Sequence, residues 1–311
     1  MPRAEAGAFI RYVQTQATNG ASRSEEMISV GDVRLHVVSQ GSGPPVLLLH
    51  GFPEFWYSYR HQMQALAEAG FRAIAPDLRG YNLSDKPKGI AAYGIEKLAD
   101  DVEGLIRALG HDRVHLVGHD WGGYLAWYVA AHRPHLVSRL VVLNGPHPKI
   151  MARELLTPGQ LAMSWYMFFF QLPVVPEKVV AKRESLERIL RGWSPAAKTA
   201  FSDADIDAFT EAMQRPGAAR AALNWYRAAL RSPLRSLRTP KIQAPTLVVW
   251  GELDRCLGLG QLRGLEREVR HLTVVRLPDA GHFVQQERAE EVSARIVDFL
   301  KDATVDVPRA V

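Results

Sequence analysis

The chain is short of several things that would direct its reading elsewhere. It holds one cysteine in 311 residues, Cys256. An internal disulfide framework is therefore excluded, and a reducing cytoplasm is the expected compartment. Its longest apolar stretch, Leu161 to Phe170, is too short to span a bilayer. No apolar signal-peptide core opens the chain. It has no internal repeat and no low-complexity segment. The formal charge is +5 and the isoelectric point about 9.3, yet Lys and Arg are scattered. No basic stripe interleaved with aromatics speaks for nucleic acid.

What is present centres on residues 114–126. Val114–Val117 has the length and β-branched character of a buried strand. Gly118-His-Asp-Trp-Gly-Gly123 follows, then a helical run from Tyr124. Strand, Gly-x-nucleophile-x-Gly and helix form a nucleophile elbow, a tight turn that lifts one side chain above a sheet. Asp120 stands where esterases and lipases carry serine. A plain alternative for Asp120 alone is a buried helix cap.

Strands are expected at Met27–Val30, Val33–Ser39, Val46–Leu49, Arg72–Ala75, Val114–Val117 and Leu140–Leu143. Helices are expected over Tyr57–Ala69 and Ile95–Leu109, and a short one over Ala8–Gln16. This alternation implies an α/β fold with a mostly parallel sheet covered on both faces. It stops at Pro148 and resumes near Pro245 with Thr246–Trp250, a helix near Leu259–Val269, strand Leu272–Leu277 and helix Ala289–Asp302. The division expected is an N-terminal extension (1–27), a core (28–147 and 240–303), a helical cap (148–239) and a tail (304–311). The cap leaves from the carboxyl edge of the sheet, where ligands bind, and is placed to act as a lid.

A nucleophile needs a base and a group that orients the base. On this arrangement the chain order is nucleophile, acid, histidine. Asp254 follows the strand at 246–250 and His282 follows the strand at 272–277. The triad expected is Asp120, Asp254 and His282, with Glu252 and Asp279 as rivals for the acid. His50-Gly-Phe-Pro53 follows the first core strand. Its Phe52 N–H and that of Trp121 are the expected oxyanion hole.

His50-Gly-Phe-Pro-Glu54, Gly118-His-Asp-Trp-Gly-Gly123 and Asn224-Trp-Tyr-Arg227 together resemble the epoxide hydrolases of the α/β-hydrolase superfamily, over about residues 28–300. The resemblance implies the α/β-hydrolase fold with an inserted helical cap, and a cis bond before Pro53. It also implies two cap tyrosines that hold the epoxide oxygen, matched here by Tyr226 and Tyr166. The implied reaction uses water and no cofactor or metal. Asp120 forms an ester, which water activated by His282 then cleaves. Trp56, Trp121, Phe169, Phe170 and Trp225 are expected to line an apolar pocket for a small epoxide. Two other readings stand beside this one. A dehalogenase would use the same Asp nucleophile, with a Trp beside it as at Trp121. Fluoroacetate dehalogenases, however, carry Arg where this chain has Trp121 and Tyr124. A non-catalytic hydrolase-like receptor would typically have lost a triad member.

Overall fold

The computed structural model describes residues 14–16, 23–194, 197–232 and 239–302. The expected tail at 304–311 and most of the expected helix at 8–16 lie outside them. Among these residues nine strands form one sheet: β1 (Gln14–Gln16), β2 (Arg23–Val30), β3 (Val33–Gln40), β4 (Pro45–Leu49), β5 (Arg72–Pro76), β6 (Val114–His119), β7 (Val137–Leu143), β8 (Thr246–Gly251) and β9 (Leu272–Leu277). Their order is β1-β2-β3-β5-β4-β6-β7-β8-β9. β1, β2 and β3 pair antiparallel, as do β3 and β5, and every later pair is parallel.

Two expectations for the amino-terminal region need correction. Gln14–Gln16 is a strand on β2 rather than the end of a helix. β2 itself begins at Arg23, inside the segment expected to be an extension. An edge strand with one polar face shows only weak alternation, and edge pairing, not propensity, makes it extended. Val30 pairs with Val33 across Gly31-Asp32, and Gly31 takes φ +54°, as a two-residue hairpin turn requires.

The central strands β4, β6, β7 and β8 are almost wholly buried. Their unbroken Val and Leu runs follow from helices covering both faces of the sheet. Three long helices supply much of that cover: α1 (Arg60–Glu68), α2 (Ile95–Ala108) and α3 (Asp120–His132). A 3₁₀ turn, Trp56–Tyr59, precedes α1.

Among the described residues, eight helices lie between β7 and β8: α4 (Pro148–Glu154), α5 (Pro158–Met163), α6 (Trp165–Phe169), α7 (Val175–Val180), α8 (Arg183–Gly192), α9 (Ala197–Ala200), α10 (Asp203–Gln214) and α11 (Ala218–Arg231). No strand of the sheet lies there among the described residues. These helices form the cap. After β8 come α12 (Leu265–Glu268), α13 (Val284–Glu287) and α14 (Ala289–Lys301). The single helix expected near 259–269 is instead a 3₁₀ turn, Leu259–Leu262, followed by α12. Gly264, at φ +87°, separates the two.

Cap and core meet at the loops that follow the strands. Trp225 Nε1 donates to the Arg79 carbonyl beyond β5 at 3.0 Å. The Tyr226 ring stands edge-on to Phe52, beyond β4, and to Trp121, beyond β6. Trp193 packs against His282, beyond β9.

Candidate active site

Three loops carry the expected triad to one place. Asp120 is the first residue of α3, immediately after β6, with φ +50°. A non-glycine residue in this region is strained and is held there by its surroundings. The neighbours show how. A Cβ on Gly118 would lie 2.3 Å from the Gly122 carbonyl oxygen, and one on Gly122 would lie 2.0 Å from the Leu49 carbonyl oxygen. Only glycines let strand, turn and helix approach this closely.

His282 Nδ1 lies 2.9 Å from Asp254 Oδ2. Its Nε2 stands 3.8 Å from Asp120 Oδ2 and makes no hydrogen bond within the described residues. The imidazole thus presents its free edge to Asp120. Phe52 donates its N–H to Asp120 Oδ1 at 2.9 Å, and the peptide bond between Phe52 and Pro53 is cis. Both rivals for the acid are engaged elsewhere. Glu252 pairs with Arg276 at 2.7 Å, and Asp279 pairs with Arg288.

The charges form one coupled set. Burial raises the Asp120 carboxyl, opposed by the charges of His282 and His119 and by the N–H groups of Phe52 and Trp121. Burial would also raise Asp254. The His282 charge, the hydrogen bonds from His282 and Asn144 and the Cys256 N–H outweigh it and hold Asp254 below the usual carboxylate range. Burial pulls the His282 imidazole down. The charge and hydrogen bond of Asp254, joined by the charges of Asp120 and Glu54, push it up to about 9.

A second layer fixes these groups, and the sequence reading missed it. Asn144, just past β7, donates from Nδ2 to Asp254 Oδ2 at 2.8 Å, while its Oδ1 accepts the Gly251 N–H at 2.8 Å. The N–H groups of Cys256 and Leu257 donate to Asp254 Oδ1 at 2.7 and 3.0 Å. Under the oxyanion loop, Glu54 Oε2 accepts the Gly51 N–H at 2.8 Å. His119 bridges Glu54 Oε2 (2.7 Å) and the His282 carbonyl oxygen (2.8 Å). Burial opposes ionisation of Glu54, but the His119 charge and the hydrogen bonds of His119, Ser58 and Gly51 bring it down to about 2. Glu54 and His119 were visible as motif letters, but their pairing was not. For Asn144, the signal was a polar residue directly after a buried strand.

The cap closes the site from above. A cavity of about 220 Å³ is bordered by Asp120 and Trp121 from the core and by Tyr166, Met167 and Tyr226 from the cap. Met151, Leu155 and Leu257 add apolar wall, and Tyr124, one helical turn beyond Asp120, adds another ring. Among the described residues, no Lys, Arg or His borders this cavity. The Tyr166 and Tyr226 rings lie 6.0 Å apart and nearly perpendicular. Burial, with the Asp120 charge adding, raises both phenols well above their ordinary value, so both stay protonated.

The expected pocket list needs correction. Trp121 borders the cavity, but Trp56, Phe169, Phe170 and Trp225 do not. Trp56 belongs to the other core cluster of the sheet and packs on Phe55 and Tyr57. Phe170 lies behind the tyrosines, against Tyr166, Tyr226 and Phe52. Phe169 packs on Trp165 and Phe170. Trp225 turns toward the Arg79 carbonyl and the Tyr81 ring.

Comparison with known proteins bears on this geometry. A family model described as alpha/beta hydrolase fold matches residues 44–289. Epoxide hydrolase 3 of Xenopus tropicalis is 38% identical over 280 residues, covering 87% of this chain and 75% of that protein. The chain belongs to the epoxide hydrolases of the α/β-hydrolase superfamily. The AB hydrolase superfamily protein YfhM of Bacillus subtilis is likewise 38% identical, over 283 residues, covering 89% of this chain and 98% of that protein. Among solved structures, a mutant epoxide hydrolase from Bacillus megaterium complexed with its product, (R)-3-[1]naphthyloxy-propane-1,2-diol, superposes with a TM-score of 0.80 at 34% identity. The match covers 88% of this chain and 99% of that one. Within the family, the substitution of aspartate for serine at the elbow and the two cap tyrosines are the features from which a function can be argued.

Proposed function

We propose that this chain hydrolyses epoxides to vicinal diols through an ester on Asp120. The observation that carries this reading is the convergence of Asp120 with Tyr166 and Tyr226 on one apolar cavity. An epoxide carbon is sp³ and opens by backside attack. A carboxylate attacks as the anion it already is, and Oδ2 is the oxygen left free by the Phe52 N–H on Oδ1. As the C–O bond forms, the ring C–O bond breaks and its electron pair stays on the ring oxygen. That alkoxide is strongly basic and needs a proton or a strong hydrogen bond, which the protonated phenols supply. Halide would leave without such donors. The phenol pair therefore favours an epoxide over an organohalide, and among the described residues the wall holds no cation for a haloacetate carboxylate.

Ester formation removes the Asp120 charge, one of those that hold His282 protonated. The imidazole then yields its proton more readily and draws one from water, which attacks Cγ. Oδ1 becomes the oxyanion and rests on the N–H groups of Phe52 and Trp121. When it collapses, the Cγ–Oδ2 bond breaks, Oδ2 leaves as part of the diol with the proton that His282 returns, and the oxygen from water stays on Asp120. Asp254 orients the imidazole and balances its charge. Water is the only co-substrate, and the scheme needs neither metal nor cofactor.

The substrate class is a small apolar epoxide. The naphthyloxy diol held by the Bacillus megaterium relative supports tolerance of an aromatic group. No described helix is long and apolar enough to cross a membrane. A reducing cytoplasm suits the buried, unpaired thiol of Cys256. In the same reading 148–239 acts as the lid over 28–147 and 240–303.

The test is a single turnover in ¹⁸O-water with enzyme in excess. The diol should be largely unlabelled, and label should remain on the peptide containing Asp120. Label in the first-turnover diol would mean that water opens the ring directly, with Asp120 at most a base.

A further inference from the structure

The loop that carries His282 is gripped by the cap as well as by the core. Glu287, the last residue of α13, reaches back over it. Its Oε1 accepts the Phe283 N–H at 3.0 Å, and its Oε2 accepts the Gly281 N–H at 2.7 Å. One carboxylate thus holds the backbone on both sides of His282. Oε2 takes a further bond from the cap, the Ser194 hydroxyl at 2.7 Å. Ser194 is buried, two residues past the end of α8. It sits so close to the loop that a Cβ on Gly281 would lie 2.1 Å from the Ser194 Cβ, so only glycine before His282 leaves it room. The neighbouring Trp193 ring stacks on Phe283, with centroids 6.2 Å apart, and stands edge-on to His282 at 5.5 Å. The end of α8 is itself fastened to the core. The last carbonyls of a helix have no partner inside it. Here Arg255 supplies one to each, Nη1 to the Gly192 carbonyl at 3.1 Å and N–H to the Trp193 carbonyl at 3.3 Å.

We propose that Glu287 is a positioning residue for ester cleavage, and that the cap acts on His282 through it by way of Ser194. This rests on the reaction through an ester on Asp120. Ring opening needs no base, so it does not depend on where the imidazole edge points. Ester cleavage needs Nε2 aimed at a water beside Cγ, and a small misplacement of such a group is costly. Asp254 fixes the far edge of the ring, but the place of the ring follows its backbone, and that backbone hangs on Glu287. None of the bonds to Glu287 reaches Asp120 or the Phe52 N–H that holds it. Trp193, by contrast, also touches the Tyr166 ring at 5.4 Å, so changing it would disturb both steps. Ser194 and Glu287 separate them.

Rapid-quench kinetics on the full chain, with styrene oxide as the probe, reads both steps. Ser194→Ala should slow ester cleavage about tenfold, the scale of one hydrogen bond to a charged group, and leave ring opening within about twofold of the wild type. Glu287→Gln turns an amide N–H toward at least one N–H beside His282 and should slow cleavage further, again sparing ring opening. In both variants the ester on the Asp120 peptide should accumulate. Because Ser194 acts through Glu287, the double variant should be no slower than Glu287→Gln alone. Ser194→Ala, which only shortens a buried side chain, carries the test by itself if Glu287→Gln does not fold. Cleavage at the wild-type rate in Ser194→Ala overturns the proposal. Equal slowing of both steps overturns it too and leaves these bonds a part in holding the fold alone. Effects that multiply in the double variant overturn the route through Glu287. His282→Gln, run beside them, isolates the underlying reaction. If it accumulates no ester, the ester reaction itself fails. If it does while the folded Ser194 and Glu287 variants do not, only the positioning role falls.

Discussion

Asp254 stands on His282 and Tyr226 borders the cavity, and the two are held in opposite ways. Asp254 is fixed by hydrogen bonds with His282, Asn144 and the N–H groups of Cys256 and Leu257. Tyr226 is held by ring edges against Phe52, Trp121, Tyr166 and Phe170. Hydrogen bonds fix direction, and a buried one left half-made is costly. Aromatic contacts tolerate many angles at similar energy. The core half of the site is therefore built to keep one geometry, and the cap half to adjust to the ring it receives. This difference ranks the consequences of mutation.

The largest effects should come from the core. Asp120→Ala should reduce turnover on the order of 10⁵-fold, as loss of a nucleophile does, with no ester detectable by mass spectrometry. His282→Gln should spare ring opening and block ester cleavage. The peptide containing Asp120 should then gain the mass of the substrate, with a diol yield below one per enzyme. Normal turnover without that adduct would remove His282 from the hydrolytic step.

The cap should come next. Tyr226→Phe and Tyr166→Phe should each slow ring opening about 10²-fold, the contribution of a positioned acid, and ester cleavage far less. Rapid-quench measurement separates the two steps. Equal slowing of both would mean that the phenols merely pack. The double variant should lose more than either single one, because each phenol remains a donor when the other is gone.

A smaller effect distinguishes the charge coupling from the geometry. In the free enzyme His282 is protonated below about 9. Esterification neutralises Asp120, so the midpoint in the ester must lie lower. Cleavage needs the neutral imidazole, so its single-turnover rate should rise with pH through a midpoint below 9. A midpoint at or above 9 would contradict the coupling.

The smallest effect expected is at Asn144. Asn144→Ala removes one donor to Asp254 while His282, Cys256 and Leu257 remain. A loss of about tenfold, confined to ester cleavage, corresponds to one hydrogen bond to a charged group. Unchanged cleavage would show that the other partners suffice to hold Asp254.

The contrast also explains what could be read in the sequence. The core half was legible because each of its loops follows a buried strand, and strands announce themselves by composition. Gly118 and Gly122 marked the elbow, and chain order separated Asp254 from Glu252 and Asp279. Asn144 was not legible, because its partner lies 110 residues away and depends on β7 lying beside β8. In the cap, helices were legible but their facing was not. Phe169, Phe170 and Met167 are equally apolar neighbours, yet only Met167 reaches the cavity. Tyr166 and Tyr226, expected from their motif neighbours, border the cavity, whereas Trp56 and Trp225, expected there for their aromatic character, do not. The first strand was missed because three polar residues owe their extended form to a neighbour.

Asn144 has one more consequence, for anyone who would exchange lids between relatives. It stands at the root of the cap, four residues before Pro148 opens α4, and it is also a clasp on Asp254. Trp127 fastens the same root from α3, donating from Nε1 to the Gly145 carbonyl at 3.0 Å. A transplanted lid that brings its own residues 144–147 would import a new support for Asp254 along with a new pocket wall. A splice at Pro148 or later would change which epoxides are admitted and leave the acid where β7 and β8 hold it.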